Sequence, residues 1–384
     1  MNTEAAVARV KEAFERNFQR GAEVGASLAV WRDQQEVFCL AEGWRDAARS
    51  IPWTADTLVL VWSATKGLSS ACVLHAMDLA GLELNTLVES VWPEFGQNGK
   101  DHLTIAQVLS HQAGLSAVTD PTASFVDHDS VINALERQAP LWKVGDGHGY
   151  GPRTYGFLAD ELVRRIAGQH LPEYWRENFG DPLGLDLWIG LPLEEHARVA
   201  QMLAARMNCG DVEEDFMQAL ATPGSLTQKA FTTPKGTFSA SGMNNPTIRS
   251  ASFPSLGGIG SAAALAKFYS MLAGGGTWQG RRYFSEKALG WMTNRLFQGV
   301  DKTLLTETAF SAGFMMDPVD DAGRKKRSTF GPSFTAFGHP GAGGSLAFAD
   351  PENGLGFAYV MNQMETGVLP KARAIALVQA FYGL

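Results

Sequence analysis

Residues 63–79, Ser-Ala-Thr-Lys-Gly-Leu-Ser-Ser-Ala-Cys-Val-Leu-His-Ala-Met-Asp-Leu, are of helical length and almost uncharged; only Lys66 and Asp78 carry full charges. A helix apolar on all sides has no face to give to water, so it belongs at the centre of a domain. Gly81 supplies its stop signal. Everything else must be arranged around this rod. Lys66 is also the only lysine or arginine between Arg49 and Lys100. The central helix therefore carries one amine into the interior.

The flanks show how such a rod is covered. Val7, Val10, Phe14 and Phe18 recur at helical spacing near the N-terminus. Gly25–Trp31 and Gln35–Ala41 are apolar runs separated by Arg32-Asp33-Gln34, a strand–turn–strand pattern. Thr57–Trp62 is a third short run. Strand character returns after about residue 255, in Phe310–Met316, Thr335–His339, Ser345–Ala349 and Gly354–Asn362. The run Asp350-Pro351-Glu352-Asn353-Gly354 is a hairpin turn between the last two. Ala262–Leu272 reads as a helix stopped by Gly274-Gly275-Gly276, and Pro370 opens a last helix over Lys371–Tyr382.

Between these ends the pattern is helical. Thr104-Ile105-Ala106-Gln107 is a capping box with Gly114 as the expected stop, and Tyr155–Ala167 and Leu193–Met207 read as helices. Residues 208–254 are polar and poorly periodic and read as a long loop region. The expected fold class is α+β: one antiparallel sheet flanked by the N- and C-terminal helices, with an inserted, mainly helical part. The sheet domain is discontinuous, 1–85 with 255–384. The helical domain is 86–254, with a ligand cleft between the two.

The 384 residues are 45% apolar and enough for a large core. Their charge is −8, which disfavours nucleic acid or an anionic membrane as partner. The start Met1-Asn2-Thr3-Glu4 lacks a signal-peptide pattern, and no apolar run is long enough to cross a membrane, so the expected compartment is the cytoplasm. Three scattered cysteines, Cys39, Cys72 and Cys209, give neither a disulfide framework nor a zinc knuckle, and Cys72 reads as a buried thiol.

Three segments offer chemistry. In Ser63-Ala64-Thr65-Lys66 the hydroxyl and amine share a helical face. A serine becomes a competent nucleophile when a neighbour takes its proton, and burial keeps a lysine amine neutral enough to do so. The N–H groups at a helix start can stabilise an oxyanion. Tyr150, in Gly147-His148-Gly149-Tyr150-Gly151-Pro152, is a competent acid–base group if a nearby ammonium lowers its pKa. The run Phe337-Gly338-His339-Pro340-Gly341-Ala342-Gly343-Gly344 lets backbone approach a ligand closely and offers a second oxyanion donor.

This order resembles the serine β-lactamase and penicillin-binding protein superfamily, and most closely its class C-like branch with the family VIII carboxylesterases. Val61–Gly67 is similar to the nucleophile helix. Val108-Leu109-Ser110-His111-Gln112-Ala113-Gly114-Leu115 resembles Leu-Leu-Thr-His-Thr-Ser-Gly-Leu. Tyr150-Gly151-Pro152 stands for Tyr-x-Asn, and His339-Pro340-Gly341 for Lys-Thr-Gly or His-Thr-Gly. The resemblance implies an acylated nucleophile at Ser63, a general-base system of Lys66 and Tyr150, and an oxyanion hole from the N–H groups of Ser63 and Ala342. It also implies a pocket near His339 and Gly341; Trp62, which flanks the nucleophile, is either a wall of that pocket or core packing. Pro152, His339 and Pro340 replace an asparagine, a lysine and a threonine, which favours an ester substrate over a β-lactam. The implied activity is an intracellular carboxylesterase acting on a small-molecule ester without metal or cofactor. Amidase, D-peptidase, acyltransferase or weak β-lactamase activity on the same fold is the alternative, and a non-catalytic binding protein the remote one.

Other signals are weaker. There is no Gly-x-Ser-x-Gly. Gly258-Ile259-Gly260-Ser261-Ala262-Ala263 mimics a dinucleotide fingerprint but no strand is expected before it. Asp127-His128-Asp129 reads as a solvated loop rather than a metal site, and His111 as structural.

Overall fold

The computed structural model describes residues 3–205, 213–236 and 239–384. Cys209 and the end of the Leu193–Met207 stretch lie outside them.

The chain opens with α1 (Thr3–Gln19), followed by strands β1 (Gly25–Arg32) and β2 (Gln35–Gly43). Asp33 and Gln34 take φ of 50° and 64°, the paired positive angles of a two-residue turn that matches strand twist. The remaining strands are β3 (Val59–Leu60), β4 (Leu187–Ile189), β5 (Gly258–Gly260), β6 (Phe297–Val300), β7 (Glu307–Phe310), β8 (Met315–Met316), β9 (Phe337–Pro340), β10 (Leu346–Asp350) and β11 (Leu355–Met361), besides a small hairpin at 277–282. Eight of them form one antiparallel sheet in the order β2-β1-β11-β10-β9-β8-β7-β6. Ala26 pairs with Met361 and Arg32 with Leu355, so both ends of the chain share the sheet.

Alternation along the strands divides the core. Leu28, Val30, Leu346, Phe348, Phe357 and Tyr359 meet α1 and α7 (Ala372–Tyr382) on one face. Ala29, Ala347, Ala349 and Ala358 point to the other face, where small side chains admit a close helix. That helix is α6 (Ala262–Ala273). A Cβ at Gly356 of β11 would collide with the Ala266 carbonyl, so glycine permits the contact. Beyond α6 lies α2 (Thr65–Leu79), buried from Thr65 to Met77 and emerging at Leu79.

The middle of the chain is mainly helical, with α4 (Thr154–Ala167) and α5 (Leu171–Trp175) packed beside α2 and α3 (His128–Arg137) packed on α4. A three-stranded sheet, β3-β5-β4, ties it to the start of α2. No helix of the described residues is long and apolar enough to cross a membrane.

Several expectations are corrected. The described part of Leu193–Met207, up to Ala205, is not a helix: among its described residues only the 3-10 turn Leu193–Arg198 forms. Beyond it the N–H groups of Ala200, Gln201 and Leu203 donate to the carbonyls of Leu58, Arg45 and Asn362, so partners elsewhere take the bonds a helix would have used. The described part of 208–254 is not one loop; it holds the short helices Glu214–Ala221, Leu226–Thr232, Ala240–Met243 and Pro246–Ser250. The loop-like residues Ser225, Ser239 and Asn245 cap three of them by accepting from Gln228, Gly242 and Thr247 N–H. The capping box at Thr104 is present, but its helix ends at Leu109, short of Gly114, because His111 turns the chain at φ 62°. Phe310–Met316 is a tight turn between β7 and β8 with Gly313 at φ 85°. No strand leads into Gly258, as expected; Gly258–Gly260 itself forms β5, and its glycines serve close packing: a Cβ at Gly258 would press on the Thr65 side chain at 2.6 Å.

Candidate active site

Ser63 stands in a 3-10 turn, Trp62–Ala64, that leads into α2. Trp62 is held at φ 51°, an uncommon angle for a residue with a Cβ. Two anchors maintain it. Thr65 Oγ1 donates to the Trp62 carbonyl at 2.5 Å while accepting from Gly258 N–H at 2.8 Å. Val61 N–H donates to the Gly258 carbonyl at 2.9 Å. Ser63 lies within the first turn, where a backbone N–H has no acceptor inside its own helix.

One turn on, the fully buried Lys66 amine lies 3.3 Å from Ser63 Oγ, 3.0 Å from the Pro152 carbonyl and 2.9 Å from the Ser255 carbonyl. Among the described residues no carboxylate pairs with it. Burial without a counter-ion drives its pKa well below the ordinary lysine value. In the neutral amine the two N–H bonds go to the two carbonyls, which can only accept, and the lone pair faces the Ser63 hydroxyl.

Tyr150 comes from a loop pinned at several points. Its N–H donates to the Asp301 carboxylate at 3.0 and 3.1 Å, Gly149 N–H to the His111 carbonyl at 3.0 Å, and Gly151 N–H to His111 Nδ1 at 3.2 Å. Asp301 is fully buried and faces His148 at 3.5 Å. These bonds lay the Tyr150 ring beside the amine, with Lys66 Nζ 4.8 Å from its centroid. The phenol oxygen is buried and has no hydrogen bond of normal geometry, though Ser63 is near enough to favour its ionised form. The lowering expected from a neighbouring ammonium is not found. Burial outweighs the Ser63 contact and pushes the phenol above its ordinary value. Burial thus disfavours the charged form of both the amine and the phenol.

Since the phenol oxygen makes no hydrogen bond of normal geometry, Tyr150→Phe is expected to leave Tm within about 1–2 °C while lowering kcat about 10²- to 10⁴-fold, the usual share of a proton-transfer group. Thermal melts and steady-state rates on one ester check this.

The end of β9 forms the facing wall. His339 Nδ1–H donates to the Pro340 carbonyl at 2.7 Å, and burial with the nearby Lys66 amine brings its pKa down to about 3, so the ring is neutral. Gly341 packs so closely on Val61 that a Cβ would strike the Val61 carbonyl. Its N–H is spent on the Ser345 carbonyl at 2.7 Å, so it spaces rather than donates. Ala342 is the first residue of the next 3-10 turn, where an N–H has no acceptor in its own turn. Gly343 carries φ 83°, and its carbonyl accepts from Glu365 N–H at 2.9 Å and Arg373 Nη2 at 3.1 Å. Trp62, the remaining expected pocket residue, is 5% exposed and packs in the core. His111 lies among Tyr150, Tyr155 and Phe310, held neutral by burial. Cys72 is buried, with its thiol pushed up.

Sequence reasoning missed the frame: Asp301, the Pro152 and Ser255 carbonyls, Thr65 and Arg373. The first, a lone acid in a loop, carried no local signal, and carbonyls carry none at all.

Known proteins share this fold. The Beta-lactamase family model matches residues 11–380. An esterase/beta-lactamase of Mycobacterium tuberculosis, LipL, is 31% identical over 88% of this chain and 77% of its own. A penicillin-binding protein homolog from Caulobacter crescentus is 37% identical with TM-score 0.86, covering 98% of this chain and 97% of that one. A family VIII carboxylesterase is 34% identical with TM-score 0.87 over the same shares. With a match spanning nearly its whole length and relatives above 30% identity, the chain belongs to the beta-lactamase family and is a hydrolase of that fold.

Proposed function

We propose that this protein is a carboxylesterase that cleaves short-chain esters through an acyl-enzyme on Ser63. The observation that carries the reading is the Lys66 amine: buried, without a counter-ion, its two N–H bonds taken by carbonyls and its third contact the Ser63 hydroxyl. Ser63 Oγ attacks the ester carbonyl carbon as its proton passes to Lys66. The oxyanion gathers between the N–H groups of Ser63 and Ala342. Collapse breaks the bond to the leaving alkoxide, which takes the proton from the Lys66–Tyr150 pair. Water then attacks the acyl-enzyme by the reverse relay and frees the acid.

The preference for esters rests on charge. A β-lactam drug brings a carboxylate, and here the facing wall offers a neutral His339 and the hydroxyl-free Pro340, while Pro152 lacks a side-chain amide. The family VIII carboxylesterase and LipL support the same reading. Intact-mass spectrometry across short esters, D-amino-acid amides and nitrocefin tests it. Transient acyl adducts with the esters are expected; accumulation with lactams or amides alone would replace this reading with the amidase or lactamase one.

The pH dependence follows from the amine. Protonation of Lys66 removes the base, so kcat/KM should rise with pH through one limb belonging to the Lys66–Tyr150 pair. Burial lowers the Lys66 pKa, so that limb lies far below the ordinary lysine value of about 10.4. A rate still climbing steeply near that ordinary value would show that the amine is not the base.

A further inference from the structure

On the helical side, away from Ser63, three side chains from three elements converge on one carboxylate oxygen. His128 opens α3, Asp160 lies within α4, and His170 precedes α5. Asp160 Oδ2 is 2.9 Å from His128 Nε2 and 3.0 Å from His170 Nδ1, and the donor atoms of all three lie within 4.8 Å of one another. The run Asp127-His128-Asp129 is thus not a solvated loop. Asp127 caps α3 by accepting from Ser130 N–H, and the His128 side chain is 28% exposed.

We propose that His128, Asp160 and His170 form a binding site for a divalent transition-metal ion, zinc by preference, with an open fourth position. Tetrahedral zinc with ligands at about 2.0–2.1 Å spaces its donor atoms about 3.3 Å apart, close to the two short edges seen here. A small rotation of the half-exposed His170 closes the third edge. The donor set, two imidazoles and one carboxylate, suits zinc better than calcium or magnesium, which take oxygen ligands.

Two further observations favour a cation over a plain ion pair. His128 Nε2 approaches Asp160 closely, yet neither ring nitrogen of this buried edge is aligned for a hydrogen bond. Part of an outer shell is also in place. Asp160 Oδ1 accepts Leu171 N–H at 2.6 Å, which fixes the carboxylate, while Asp129, 3.6 Å from the far nitrogen of His128, is close enough to swing into a hydrogen bond with it. Such partners orient metal ligands. The site would clamp α3, α4 and the start of α5 together. Its role is in the structure of the helical part, not in the chemistry at Ser63.

The test is calorimetric titration of chelator-treated full-length protein with Zn²⁺, with metal content measured after dialysis. His128→Gln and His170→Gln are run in parallel, their folding checked by thermal melt. One zinc per chain is expected, with a raised Tm. Each variant should bind at least about tenfold more weakly, since loss of even outer-shell partners costs 10- to 100-fold. Co²⁺ in place of zinc should give the visible absorption of a tetrahedral site. Absence of binding, or equal affinity in the wild type and both folded variants, overturns the proposal.

Discussion

Ser63→Ala is expected to lower kcat on p-nitrophenyl butyrate about 10⁴- to 10⁶-fold, the scale found when a nucleophile is removed from a catalytic unit. The structure gives the reason for so large a loss. The Lys66 amine lies 3.3 Å from the Ser63 hydroxyl, and its other contacts are carbonyls that cannot supply a proton. Without that hydroxyl the site retains its oxyanion N–H groups but has nothing to acylate. Stability should barely move, because the hydroxyl's contacts are a long 3.3 Å one with the Lys66 amine and an approach to the Tyr150 phenol, and alanine fills the same turn. The intact-mass adduct must vanish together with turnover. Retention of wild-type rate, or of an adduct at another residue, would remove Ser63 from the chemistry. Ser70→Ala gives the contrast. Its hydroxyl bonds the Lys66 and Gly313 carbonyls and Tyr155, so that variant should lose stability and keep acylation.

The largest effect on stability is expected at Arg373. Its side chain is 5% exposed and reaches the carbonyls of Ala22 at 2.8 Å, Gly343 at 3.1 Å and Gln363 at 2.8 Å. It also pairs with Glu23 and Glu365, each at 2.8 Å. Burial pushes Glu23 up to about 7 even beside the guanidinium, and Tyr359 O–H donates to the same carboxylate. Arg373→Ala strands Glu23 and three carbonyls in the interior, where breaking a buried pair costs about 3–5 kcal/mol. A Tm lower by several degrees is expected. Gly343 also loses one of its two anchors, so the turn bearing Ala342 loosens, and kcat should fall more than KM rises. Arg373→Lys keeps the charge but not the forked geometry and should recover only part of both. Wild-type Tm and kcat in the alanine variant would show that the network supports neither.

Much of the fold was readable because its signals are local. The hairpin turn, the capping box, the N-terminal amphipathic spacing and the last two strands all write their geometry into neighbouring residues. The short helices of 213–250 were hidden because four to eight residues are too few for a period to show. Leu193–Met207 misled because partners distant in sequence took its backbone bonds. At the site, Ser63 and Lys66 could be paired from spacing alone, since the 3-10 turn of Ser63 runs straight into α2. Tyr150 could be named but not placed: Asp301 and His111, which aim it, act across long separations. The direction of its pKa could not be read either, because it depends on how completely the ring is buried.

The pairing of β1 with β11 also sets a schedule for synthesis. When the hairpin Gly25–Gly43 leaves the ribosome, its partner strand Leu355–Met361 has not been translated. At about 5–20 residues per second the wait is on the order of tens of seconds. A lone two-stranded hairpin is marginal in water. During that interval Ala26, Leu28 and Val30 have only α1 to cover their apolar face, with α7 still unmade, and lie beside an unpaired edge. Nascent chains halted before Met361 should therefore be clients for a holding chaperone, and release of the final strand the event that frees them.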